Sequence, residues 1–149
     1  MSGSTSQVLL RTRLTDAQIG QLTELVQVSS GSNDWQSFSL LGQPFTMALC
    51  DPDEDEERFD LPGWSPVQAI SVCCHCRGRA GDLLLAFISA RVAETFSGLI
   101  VFGESLDRFT SDPTVLSLDG RYRSAEIGDV LTPAFLAYWA ASSEFRMCN

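Results

Sequence analysis

The sequence predicts a single α+β domain in which a mostly antiparallel sheet packs on about three helices. Strand-like and helical periodicities alternate along the chain in the order β-α-β-β-β-α-β-β-β-α. Neighbouring strands are joined by short linkers, which favours antiparallel pairing with the helices on one face. The 149 residues contain no repeat and no linker that would divide them, so residues 1–149 are expected to share one core.

The first half of the chain predicts a strand, a helix and a hairpin. Residues 7–14 (QVLLRTRL) have the alternation of a strand. Thr15 is the expected N-cap of a helix whose apolar stripe continues to Val26. A hairpin over residues 35–50 is predicted to turn at the stretch Leu-Gly-Gln-Pro.

The second half of the chain predicts four strands and two helices. The expected strands are residues 67–76, 99–103, 114–120 and 122–128, the last two joined by a tight turn at Asp119-Gly120. One helix is expected over residues 81–98, with Phe87 and Ile88 in its apolar stripe. The last helix is expected to begin with Thr132 as its cap and Pro133 in its first position.

The charge balance of the chain restricts the partners it can have. Ten arginines and no lysine face nineteen acidic residues, so the net charge is −9. Such a chain repels nucleic acids and anionic membranes and suits a basic partner. The sequence has neither an export signal nor an apolar run of roughly 20 residues. Five cysteines, an odd number, then favour reduced thiols and a cytoplasmic location, with the oligomeric state left open.

Residues 73–76 (Cys-Cys-His-Cys) contain three of the five cysteines and the one histidine. In a strand, alternation sends Cys74 and Cys76 to one face and Cys73 and His75 to the other. A zinc site needs four converging ligands, so we expect no metal and no cofactor here. Cys73 and His75 are also expected to lie roughly 6–7 Å apart, too far for a catalytic pair. The residues are therefore predicted to be core or strand residues without a catalytic role.

The acidic loop over residues 51–66 is the candidate binding surface. It carries six acids between Asp51 and Glu57, and its prolines and glycine predict an exposed loop. Carboxylates steer a basic partner and aromatic side chains anchor it. The partner-binding residues predicted on this basis are Asp53, Glu54, Asp55, Glu56, Glu57, Phe59, Asp60 and Trp64. The alternative is that the two aromatic side chains fold back onto the core.

Two arginines, Arg77 and Arg79, precede the second helix. A helix N-terminus with arginines can hold an anion. No phosphate-binding motif accompanies them, so a turn with two solvated arginines is the interpretation that the sequence favours.

Two stretches resemble a family of small bacterial domains of unknown function. Residues 74–104 (CHCRGRAGDLLLAFISARVAETFSGLIVFGE) are similar to its central signature, a C-x-x-R strand end followed by an apolar helix and GLIDFGG. The closing residues 135–149 (FLAYWAASSEFRMCN) are similar to its FLxxWLxHPxFxMIK ending. The chain departs from the pattern at Val101 and Glu104 and at its last three residues, and the likeness covers about half of it.

The members of that family resemble immunity proteins of polymorphic toxin systems, which neutralise a toxin encoded beside them. The resemblance implies a non-enzymatic protein that binds a cognate toxin effector domain and covers its active site or substrate surface. The acidic charge suits a basic toxin surface, as in a nuclease or an NAD-dependent ADP-ribosyltransferase. The alternative, from another class, is a small cytoplasmic hydrolase that uses His75 with a thiol or carboxylate.

Overall fold

Seven strands form one antiparallel sheet in the computed structural model, which describes residues 3–57, 64–124 and 126–147. The strands are β1 (Thr5–Leu10), β2 (Ser37–Leu40), β3 (Gln43–Cys50), β4 (Gln68–Cys74), β5 (Leu99–Val101), β6 (Arg121–Tyr122) and β7 (Val130–Leu131). The helices are α1 (Asp16–Ser30), α2 (Glu54–Glu57), α3 (Arg79–Phe96), α4 (Pro113–Leu116) and α5 (Pro133–Ala140), with a 3₁₀ turn at Leu106–Arg108. The predicted single α+β domain with an antiparallel sheet is confirmed.

The strand order is β2-β3-β4-β1-β5-β7-β6, so the first strand of the chain lies in the interior of the sheet. Val8 of β1 is opposite Ile70 of β4 on one side and opposite Ile100 of β5 on the other. Because β1 pairs on both sides, its backbone groups are satisfied within the sheet and its side chains are free to pack on both faces. The position explains why residues 8–10 are apolar without a break.

One face of the sheet packs against α1, α3 and α5 and forms the main core. Fully buried side chains come from both layers: Val8, Ile70 and Ile100 from the strands, and Leu22, Ile88, Val92, Leu136 and Trp139 from the helices. The other face has a smaller apolar cluster, made by Leu9, Ala69, Leu99, Val101, Ile127 and Val130. The polar remainder of this second face, here called the open face, includes Thr46, Cys73 and His75.

The predicted helix caps are confirmed. The Thr15 side chain accepts a hydrogen bond from the Gln18 backbone N–H, and the Gln18 side chain accepts one from the Thr15 N–H, which is a capping box. Gly31 ends α1 in a left-handed conformation with φ of 80°. The Thr132 side chain caps α5 by accepting from the Phe135 N–H, with Pro133 in the first turn.

The predicted hairpin of residues 114–128 is wrong. Residues 113–116 form α4, because Asp112 accepts a hydrogen bond from the Thr114 N–H and Pro113 occupies the first position. Of the second predicted strand, residues 122–128, only Tyr122 pairs, together with Arg121 before it, and their partner is the unpredicted β7. Local cap chemistry outweighs the apolar alternation in this stretch. The first strand also ends earlier than predicted, at Leu10.

At Gly98, between α3 and β5, the backbone passes very close to the backbone of β1. A Cβ atom at this position would lie 2.6 Å from the carbonyl oxygen of Leu9. We expect Gly98→Ala to lower the free energy of unfolding by about 1–3 kcal/mol, because the central strand would have to shift. Urea denaturation measures the change.

Gly20, on the solvent side of α1, provides the matched control. Apart from its chain neighbours and the nearby backbone of α1, the described residues place no heavy atom within 4 Å of an added Cβ at Gly20. Gly20→Ala should therefore raise the free energy of unfolding by about 0.5–1 kcal/mol. Equal effects of the two substitutions would contradict the packing described for β1.

Candidate functional site

The acidic segment, defined here as residues 51–57, lies at one end of the sheet. β3 ends at Cys50 beside Ala69, and β1 ends at Leu10 beside Gln68. An exposed ion pair of 3.1 Å joins Asp51 to Arg13, in the link between β1 and α1. The segment therefore extends from the point where three well-paired strands meet.

Within the acidic segment, Glu54–Glu57 form the short helix α2, where the sequence predicts a loop. The Glu56 backbone N–H donates to Asp53 Oδ1 at 2.7 Å, and the Asp53 N–H donates to Glu56 Oε1 at 3.0 Å. The Glu57 N–H closes the turn on the Asp53 carbonyl oxygen at 2.9 Å. This reciprocal arrangement has the geometry of a capping box, with a glutamate at the third helical position.

Glu56 differs from its acidic neighbours because its side chain is turned inward. It is only 3% exposed, so it cannot meet a partner directly as the sequence predicts. Burial raises the pKa of the Glu56 carboxyl, and the nearby Asp53 charge raises it further, while the hydrogen bond from the Asp53 N–H lowers it. Glu56 is thus a positioning residue, whose buried carboxylate closes the turn of α2 on Asp53.

The remaining described carboxylates of the predicted site face solvent. Asp53, Glu54, Asp55 and Glu57 are all exposed. Because Glu56 faces the core, these four carboxylates lie on the solvent side of α2. They form a cluster of negative charge at the end of the sheet. Phe59 and Asp60 lie outside the described residues.

Trp64 packs back onto the domain while keeping part of its ring in solvent. Its side chain contacts the small apolar cluster on the second face of the sheet. The guanidinium of Arg11 lies 5.7 Å from the centroid of the ring, within cation–π distance. The alternative in which Trp64 folds back onto the domain is therefore the better description of this side chain. Because the ring is only partly buried, its exposed part can still contact a partner.

At the opposite end of β4, the Cys-Cys-His-Cys stretch divides between two faces as predicted. Cys74 is buried, and burial raises the pKa of its thiol. Cys73 is half-buried and His75 is exposed, both on the open face. Across residues 3–57, 64–124 and 126–147, no group of three or more histidine, cysteine and acidic side chains could hold a metal ion.

The expected gap between Cys73 and His75 is wrong. Their Sγ and Nδ1 atoms are 4.0 Å apart, at the limit of a sulfur hydrogen bond, because the side chains lean toward each other. Thr46 Oγ1 lies 2.9 Å from the other ring nitrogen, Nε2. On the open face, the Cys73 thiol therefore lies next to the His75 imidazole, which lies next to the Thr46 hydroxyl. This arrangement resembles a nucleophile, a base and the group that orients the base.

Arg79 has a structural role that sequence reasoning missed. Its guanidinium donates to the carbonyl oxygens of Phe145 at 3.0 Å and Ser142 at 3.2 Å. One turn later, the buried Asp82 accepts a hydrogen bond from the Met147 backbone N–H. The start of α3 thus holds the C-terminal segment: the predicted exposure of Arg79 is confirmed, but its guanidinium binds two backbone carbonyl oxygens.

The surface between α3 and α5 is also different from the prediction. The sequence places Phe87 in an apolar stripe with Ile88, yet Phe87 is 49% exposed while Ile88 is fully buried. Phe87 lies on the wall of a groove of about 650 Å³ between the two helices. Below, this feature is called the α3–α5 groove.

The sequence matches a family of unknown function, DUF6368, over residues 2–149. The chain belongs to DUF6368. The expected membership of a family of unknown function is thus confirmed, and the match covers nearly the whole chain. No curated protein and no solved structure matches this DUF6368 protein. Of the helices in the described part of the chain, none is long and apolar enough to cross a membrane.

The raised pKa of Glu56 predicts how the stability of the folded chain changes with pH. The Glu56 carboxyl binds its proton more tightly in the folded chain than in the unfolded chain. Its contribution to stability is therefore complete below the ordinary pKa of 4.5 and is lost as the pH rises through the raised value. Glu56→Gln keeps an acceptor for the Asp53 N–H but carries no charge, so E56Q should gain stability relative to the wild type between acidic and neutral pH.

Chemical denaturation at several pH values checks this expectation. Glu57→Gln is the matched control, because it removes the same charge from the exposed side of α2. A difference between E56Q and the wild type that stays constant with pH, or that equals the E57Q difference, would show that Glu56 is not held as described.

Proposed function

We propose that this DUF6368 protein is a cytoplasmic immunity protein. It binds a cognate toxin effector domain and neutralises it by covering the active site or the substrate surface. It does so without chemistry or a cofactor of its own. Residues 74–104 and 135–149 are similar to a family of unknown function whose members resemble immunity proteins, and this likeness supports the proposed class of function.

The observation that carries the proposal is the short helix α2. Its exposed carboxylates are held in one arrangement by the reciprocal Asp53–Glu56 hydrogen bonds and by the buried Glu56 side chain. A charged surface that is already ordered loses little conformational entropy when a partner binds. Its field also speeds encounter with a basic partner.

The sign of this charge indicates the kind of toxin. An enzyme that binds a nucleic acid presents cationic side chains to phosphates. A cluster of carboxylates on a protein of net charge −9 can occupy such a cleft in place of the substrate. A nuclease fits this requirement, and so does an NAD-dependent ADP-ribosyltransferase that acts on RNA or on a translation factor.

Neutralising the exposed acids of α2 should weaken the encounter with the toxin. We expect Glu54→Gln/Glu57→Gln to lower the association rate constant about tenfold at low salt and to flatten its dependence on ionic strength. The probe is the toxin domain encoded by the neighbouring gene, and stopped-flow fluorescence measures the rates. Asp53 and Glu56 are left intact because they hold the helix.

Glu24→Gln/Glu126→Gln is the control for this experiment. It removes the same net charge from exposed positions on α1 and near β7. If the control slows association as much as the α2 variant does, the effect belongs to the net charge and not to α2. An α2 variant with unchanged rates and salt dependence would refute the assignment of the binding surface.

The second candidate function is a thiol-dependent hydrolase on the open face. It is supported by the 4.0 Å approach of Cys73 Sγ to His75 Nδ1 and by the hydrogen bond of His75 to Thr46. In such an enzyme His75 would take the thiol proton, and Cys73 would attack an electrophilic carbon of the substrate. The pair lies at the end of β4 remote from α2.

Two substitutions distinguish the candidates. If the chain acts by binding, Cys73→Ser and His75→Ala should leave protection of toxin-expressing cells unchanged, because neither side chain lies near α2. If it is a thiol hydrolase, either substitution should abolish protection while circular dichroism shows a folded protein. Cys76→Ser controls for loss of a neighbouring thiol.

A further inference from the structure

The α3–α5 groove lies on the helical layer and is distinct from both the acidic segment and the open face. Its volume is about 650 Å³. Much of its lining consists of small side chains: Ala86, Ala90, Ala134, Ala137 and Ala140. Such residues leave a depression between two helices that a large side chain can fill.

Large apolar side chains stand beside this depression. Phe87 is 49% exposed and Leu83 is 37% exposed, and both line the groove. α5, on the other side, carries no charged residue over Pro133–Ala140. The surface therefore has both an exposed aromatic ring and a hollow lined by alanines, the two features that a contact between two copies would bring together.

The charges of the groove are also self-complementary. Arg91 and Glu94 line it and are exposed, three residues apart on α3. In the described part of the chain, neither side chain forms an ion pair or a hydrogen bond. They are the two charged residues between Leu83 and Phe96, so this patch is neutral on a protein of net charge −9.

We propose that the α3–α5 groove is the interface of a two-fold homodimer. With antiparallel α3 helices, a two-fold axis between Arg91 and Glu94 places Arg91 of one copy against Glu94 of the other, twice. Phe87 lies five to six residues from that axis, about 8 Å along the helix. It then reaches the end of the other copy's groove at Thr132 and Pro133.

A second copy fits this surface better than a basic partner does. The groove carries one cation, Arg91, and one carboxylate, Glu94, so it has no net negative charge that would attract a basic protein. Two chains that each carry −9 can associate only where their surfaces do not repel, and the α3–α5 groove is such a place. The dimer leaves α2 exposed, so it does not depend on the proposed toxin-binding function.

Charge reversal tests the proposal directly. Sedimentation velocity should show a dimer of the wild-type chain at concentrations up to about 100 µM. Arg91→Glu alone and Glu94→Arg alone should each be monomeric, with dimer dissociation constants raised at least about tenfold by two repulsive pairs. The doubly reversed chain R91E/E94R should dimerise again. An equimolar mixture of R91E and E94R should form a heterodimer, because both of its ion pairs are then restored.

Glu24→Arg, which makes the same charge change as Glu94→Arg but on the exposed side of α1, is the control and should remain dimeric. A monomeric wild type overturns the proposal, even if R91E weakens toxin binding, since the groove would then serve a different partner. A wild-type dimer that survives both single reversals also overturns it, because the interface would lie elsewhere. Failure of the R91E and E94R mixture to associate excludes the antiparallel pairing.

Discussion

The double pairing of β1 is the constraint on which the other features depend. With β4 on one side and β5 on the other, β1 fixes the directions of both strands and of the helix that connects them. α3 packs on it, and the hydroxyl groups of Ser6 and Ser89 hydrogen-bond at 2.6 Å in the interior. Gly98 then brings the chain across Leu9 at a distance that admits no side chain. The ends of this central ladder decide where the candidate surfaces lie.

The two candidate sites are separated by the length of β4. Gln68 begins that strand beside the acidic segment, and Cys74 ends it beside His75, six residues or about 20 Å away. The α3–α5 groove lies on the helical layer between these ends. One domain therefore carries three surfaces of different chemistry, two at the ends of the sheet and one on the helical layer. A negative cluster, a polar face with a thiol and an imidazole, and a neutral apolar groove need not interfere with one another.

Much of the fold could be predicted because its signals are local. Thr15 and Thr132 cap helices through atoms a few residues away, and Leu41-Gly42 turns the hairpin with both residues at positive φ. The strand predicted over residues 114–120 is wrong for an equally local reason. The hydrogen bond from the Thr114 N–H to Asp112 starts a helix there, and no neighbouring strand supports the alternating pattern.

The candidate site was less predictable, because it depends on the direction in which individual side chains point. Glu56 and Glu57 are the same residue type in the same run of acids, yet one is buried and the other exposed. The turn closed by the Asp53–Glu56 hydrogen bonds determines which of the two glutamates is buried. The contact of Arg79 with the Phe145 carbonyl spans 66 residues and leaves no mark in local sequence. The approach of Cys73 to His75 likewise depends on side-chain rotamers rather than on spacing along the strand.

The central claim is that the ordered acidic helix α2 is the surface that meets the toxin. Hydrogen–deuterium exchange of the protein with and without the neighbouring toxin domain measures this most directly. If α2 is the binding surface, the amides of Glu56 and Glu57, which donate to Asp53, exchange slowly in the free protein and more slowly still in the complex. Protection confined to the open face around Cys73, with no change in residues 51–57, would contradict it.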